Sequence, residues 1–134
     1  MRDKTLVEMR RDLDLLDATN TPLVEFQNKV LRPILKLQNE VTILLLRHSS
    51  HFNNKVAKID VKDINKYRTL ISKHLSSDIK LRNQILGSIT AMMTTEELKY
   101  YLENRPEINK RIITMQVQRY VSSPIIPFSN EGVA

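Results

Sequence analysis

Residues 26–36 (Phe-Gln-Asn-Lys-Val-Leu-Arg-Pro-Ile-Leu-Lys) and 37–47 (Leu-Gln-Asn-Glu-Val-Thr-Ile-Leu-Leu-Leu-Arg) are near-copies of each other. Gln, Asn, Val and Leu return at the same offsets, and Phe/Leu, Ile/Leu and Lys/Arg exchange in kind. Eleven residues make almost three turns of α-helix, so equivalent positions come back to nearly the same face. The repeat therefore marks a long central helix over residues 22–50. Leu23, Phe26, Val30, Ile34, Leu37, Val41 and Leu44 fall at spacings of three and four and form its expected inward stripe. Leu35, Ile43 and Leu46 lie on the opposite side. A helix apolar on most sides is covered on most sides, which makes this segment the centre of a bundle or part of a subunit interface. Pro33 lacks an N–H and crowds the carbonyl of Lys29, so a kink or break is expected near residues 29–33.

Other helix signals flank this rod. Thr5-Leu6-Val7-Glu8 and Thr94-Thr95-Glu96-Glu97 have capping-box spacing, and Thr21-Pro22 pairs a hydroxyl cap with proline at the first helical position. Leu6, Met9, Leu13 and Leu16 make an apolar stripe, and Ala18-Thr19-Asn20 reads as a polar link. His48 to Ile59 reads as a loop. Asp60 and Asp63 open a helix with Ile64, Tyr67, Ile71 and Leu75 inward. Ser76-Ser77-Asp78 is a turn and cap, although the apolar period can be carried straight through it. Ile79, Ile85 or Leu86, Ile89 and Met92 continue the pattern, and Gly87, Ser88 and Ala91 permit close approach of a neighbour. Leu98, Tyr101 and Leu102 sit on a short helix. Asn104-Arg105-Pro106-Glu107 punctuates the chain before a last helix with Ile108, Ile112, Met115 and Tyr120 inward. No segment alternates as a β-strand does. The expected fold is all-α: a bundle of five or six helices around the Pro33-kinked rod. Residues 1–122 form a single domain, and 123–134 an extended or flexible tail.

Bulk properties narrow the function classes. The chain has no cysteine, which excludes disulfides, thiolate catalysis and Cys-ligated metals and fits the cytoplasm. Its longest uninterrupted apolar run, Ile43–Leu46, is too short for a membrane span. The formal charge of +6 fits a solvated basic surface, an acidic partner, an anionic membrane surface or nucleic acid.

No motif identifies a catalytic residue, a metal site or a cofactor. His48 and His51 are three apart, but no Asp or Glu is fixed beside them by a motif, and no Glu stands three residues before any histidine. The serines around them, Ser49 and Ser50, are neighbours in sequence only, and triad geometry is set by the fold. Asp78 and Arg82 are four apart and suggest an ordinary helix ion pair. The candidate ligand-binding set is Gln27, Asn28, Arg32, Gln38 and Asn39. At 100° per residue, Gln27 and Gln38 border the apolar stripe, while Asn28, Arg32 and Asn39 cluster opposite it. Such a set either forms a structural network that fixes helix register or lines a polar pocket.

The strings Phe26-Gln27-Asn28, Leu31-Arg32-Pro33-Ile34, Lys36-Leu37-Gln38-Asn39, Asp78-Ile79-Lys80, Arg82-Asn83, Thr95-Glu96-Glu97 and Asn109-Lys110-Arg111 resemble, in the same order, those of a family of small bacterial all-helical proteins of unknown function. Some members carry a glyoxalase label. Glyoxalase-type metalloenzymes use paired βαβββ modules with His and Glu on strands, and neither the strands nor the ligand spacing is legible here.

These readings converge on a non-enzymatic interaction or structural module. A homodimer is expected, because 134 residues do not fully cover a rod with apolar residues beyond one stripe. A protein partner is a further expectation. The alternative is a small-molecule binder or enzyme using the Gln/Asn/Arg set, and a weaker one is nucleic-acid binding through the basic surface.

Overall fold

A computed structural model of the chain describes residues 2–10 and 21–122. Among these residues every regular element is helical. They are α1 (Arg2–Arg10), α2 (Pro22–Phe26), a π turn (Gln27–Leu31), α3 (Arg32–Leu37), α4 (Asn39–Arg47), α5 (Phe52–Val56), α6 (Ile64–Ser77), α7 (Ile79–Thr90), α8 (Thr95–Glu103) and α9 (Arg105–Ser122). The all-α bundle is as expected. More helices appear than five or six, because the central rod is subdivided and a short helix occupies the expected 48–59 loop.

The caps are local chemistry read directly from sequence. The Thr21 hydroxyl accepts from the Val24 amide at 3.2 Å, Asp63 from Lys66 at 3.2 Å and Asp78 from Leu81 at 2.9 Å. Each satisfies an N–H that a helix start leaves without a partner. Asp78 thus divides α6 from α7 and serves as a cap rather than as an ion-pair partner of Arg82. Thr94 and Glu97 form the full reciprocal capping box. Thr5, by contrast, lies inside α1, which already begins at Arg2. Arg2 and Asp3 pin that helix to the α7–α8 turn: Arg2 Nη1 donates to the Met93 carbonyl at 2.9 Å, and Thr95 Oγ1 donates to Asp3 at 2.9 Å. Leu13, Leu16, the 18–20 link and the 123–134 tail lie outside the described residues.

The irregularity expected near Pro33 takes a specific form. The Arg32 amide reaches back five residues to the Gln27 carbonyl. This wider turn accommodates a ring that can neither donate to the Lys29 carbonyl nor pack against it in a regular α-helix. The rod continues through it in helical conformation and bends again at Gln38 (φ −93°, ψ 16°). A π turn holds one extra residue, and beyond Ile34, which stays buried, the buried face of the rod is advanced by one position. Beyond it, Thr42 and Leu46 are fully buried, while Leu37, Val41 and Leu44 are exposed. The last three, expected inward, are outside; Leu35 and Leu46, expected on the opposite side, are in the core.

Two apolar clusters result. One joins Phe26, Val30, Leu31, Ile34 and Leu35 of the rod to the end of α7, α8 and the first half of α9. The other joins Leu46 to α5, α6, the first half of α7 and the end of α9. Helix α5 exists because Phe52 and Val56 plug into this second cluster. Two further positions expected inward, Ile64 and Ile79, are exposed at helix starts, where the period extends past the last packed turn. Gly87 also departs from expectation. It faces water, and an added Cβ meets nothing within 4 Å, so no neighbour requires its small size. Glycine in an exposed helix interior carries only an entropic penalty. Gly87→Ala is therefore expected to raise stability by about 0.5–1 kcal/mol, read as a higher urea midpoint at unchanged m.

Candidate functional site

The five candidate side chains do not converge on one cavity. Four of them stitch the rod to itself or to its neighbours. Gln27 Oε1 accepts from Arg111 Nη1 at 2.8 Å, joining the π turn to α9. Asn28 Oδ1 accepts from Arg32 Nε at 3.0 Å within the rod. Gln38 Nε2 donates to the Ser88 carbonyl at 3.0 Å, joining the second bend to α7. Asn39 Oδ1 accepts from Arg119 Nη2 at 3.2 Å, joining α4 to α9. Arg32 is the one exposed residue of the five, and its bond to Asn28 uses only Nε.

The deeper polar group is one that periodicity hides. Thr42 is fully buried; its hydroxyl donates to the Asn39 carbonyl at 3.0 Å and accepts from Gln116 Nε2 at 3.3 Å. The Tyr120 phenol donates to the Thr42 carbonyl at 2.6 Å. Burial pushes the Tyr120 pKa up, so this hydroxyl stays a neutral donor. Thr42 and Gln116 lie between the two apolar clusters along α4 and α9, so this layer fixes how the two helices register. Its residues were legible as polar. Nothing in the spacing marked Thr42 as buried, because its inward position depends on the added residue of the π turn, whereas Gln116 falls four residues after Ile112 on the inward face of α9.

A second cluster involves the histidine that sequence spacing did not single out. His48 and His51 are exposed, and His51 takes a left-handed conformation (φ 66°) ahead of α5. His74, on α6, is buried. Its Nδ1 lies 3.0 Å from Lys55 Nζ and its Nε2 lies 2.8 Å from Ser49 Oγ. An ammonium can only donate, so Nδ1 is the acceptor and the ring proton sits on Nε2, pointing at Ser49. Ser49 in turn donates to the Leu46 carbonyl at 2.6 Å. A general base needs a free nitrogen facing the hydroxyl it activates. Here the protons run the other way, from Lys55 to His74 to Ser49 to the backbone. The chain ties α5 and α6 to the end of α4. Among the described residues, no group of three or more His, Asp or Glu side chains comes together as a metal site.

Two surface grooves border these networks. One, of about 330 Å³, runs between α4 and α7 and is lined by Leu44, His48, Ser49, Asp78, Lys80 and Gln84 among others. The other, of about 280 Å³, runs between α3 and the end of α9 and includes Arg32 and Arg119.

Comparison with known proteins adds no identity: no family model, curated protein or solved structure matches the chain.

Thr42→Val keeps the shape but leaves the Gln116 amide without its acceptor. It is expected to lower stability by about 1–3 kcal/mol in urea unfolding. His74 gives a pH signature. Desolvation, aided by Lys55, holds its pKa below the ordinary 6.5. On acidification the unfolded chain takes up this proton first. The contribution of His74 is complete above pH 6.5, and it is lost as pH falls from 6.5 toward the lowered value. The urea midpoint is thus expected to drop in that window, and His74→Gln is expected to flatten the drop.

Proposed function

We propose that the chain is a non-catalytic helical interaction module of the cytoplasm, and that its first partner is a second copy of itself. The observation that carries this is the ridge on α3–α4: Leu37 is 36% exposed, Val41 41% and Leu44 55%. These residues recur on one face, so they form a continuous apolar strip rather than scattered contacts. Removing such a strip from water favours association by roughly 25 cal/mol per Å².

The flank of the ridge suits self-pairing. Glu40 and Arg47 lie on the same side of it, one on each side of the Val41–Leu44 midpoint. When two copies of α4 pack antiparallel about a two-fold axis that passes between residues 43 and 44, Glu40 of each chain comes level with Arg47 of the other. Such an isologous contact is closed and does not propagate. The polar residues support the same reading, because most of the Gln/Asn/Arg set is engaged in holding helices together. Among the described residues, no helix is long and apolar enough to cross a membrane.

Light scattering with a concentration series tests the proposal. A dimer is expected at tens of micromolar, and Val41→Glu and Leu44→Glu are expected to give monomers with unchanged helical circular dichroism. A monomer at every concentration removes it, as does a dimer indifferent to both substitutions.

A further inference from the structure

We infer that the groove between α3 and α9 is a binding site for a small phosphate monoester. Arg32 and Arg119 both line it, its floor is the buried Leu35 and Met115, and its far rim is Gln118 and Ser122. Its charge is one-sided: none of these six residues is an acid, and among the described residues neither arginine forms an ion pair. Arg119 is held by Asn39 through Nη2 alone, and its Nε is buried without a hydrogen-bond partner. Arg32 is held by Asn28 through Nε, which leaves its Nη pair for a ligand.

A guanidinium fixed at one nitrogen is oriented before a ligand arrives, so less side-chain entropy is lost on binding. Two such forks across one groove match a tetrahedral dianion, whose oxygens accept several charge-assisted hydrogen bonds at once. The Gln118 amide supplies another donor. The groove volume of about 280 Å³ exceeds what a bare phosphate fills, and the Leu35–Met115 floor gives the ester's organic portion an apolar seat. The site is independent of the α4 ridge and stands whether or not the chain dimerises.

The test is a titration at low ionic strength followed by NMR of the arginine Nε–Hε signals. The probes are phenyl phosphate, inorganic phosphate and phenol. Saturable shifts confined to Arg32 and Arg119 are expected with both phosphates, with phenyl phosphate the tighter, and none are expected with phenol. Arg32→Gln, at an exposed position that leaves the fold intact, is expected to weaken phenyl phosphate binding about tenfold. Arg105→Gln, at the other end of α9, is expected to leave it unchanged. Non-saturating shifts spread over the exposed arginines overturn the inference, as does an Arg32→Gln protein that binds phenyl phosphate as tightly as the parent.

Discussion

The missing N–H of Pro33 is the constraint on which the rest of the molecule depends. A proline in the middle of a regular helix leaves the Lys29 carbonyl without its donor and crowds it. The rod responds with a turn in which the Arg32 amide reaches the Gln27 carbonyl, which adds one residue to the helix without stopping it. That residue moves the buried line from Leu37 and Val41 to Gln38 and Thr42. One local adjustment thus produces the two features that give the protein its character: a polar seam inside and an apolar ridge outside.

The seam and the ridge are complementary consequences. With Thr42 inward, α4 cannot contribute a purely apolar face to the core, and α9 answers with Gln116, Arg119 and Tyr120. Buried polar groups that lack partners are costly, so helices joined this way have few alternative registers. With Leu37, Val41 and Leu44 outward, the molecule carries a hydrophobic strip that the other described residues leave exposed. The seam specifies the monomer, and the strip is the basis for proposing that the monomer does not act alone.

Much of the fold was legible in the sequence because it rests on local chemistry. Thr21-Pro22, Asp63, Asp78 and the Thr94/Glu97 box act over three residues, and the structure places each where its pattern does. The core positions Tyr67, Ile71, Leu75, Ile108 and Ile112 follow from unbroken periodicity. Prediction failed where periodicity was interrupted. A constant 100° per residue carries the stripe through Pro33 without the added residue, and so places Val41 where Thr42 belongs. For the candidate site, Gln27, Gln38 and Asn39 were recognisable as residues that must find partners. Those partners, Arg111, Ser88 and Arg119, lie 50 to 84 residues away, and no local pattern links them. His74 was hidden for the same reason: its importance comes from Lys55 and Ser49 on other segments.

The register of α4 after the π turn is the central claim, and the absence of native cysteine makes it directly measurable. Single cysteines at positions 41 and 42 can be labelled with a water-soluble thiol reagent, in native buffer and at protein concentrations low enough to keep the chain monomeric. Val41→Cys should react nearly as fast as the unfolded chain, while Thr42→Cys should be strongly protected until the protein unfolds. Fast labelling at position 42 with protection at 41 would contradict the account, because it would mean that the rod passes Pro33 without gaining a residue.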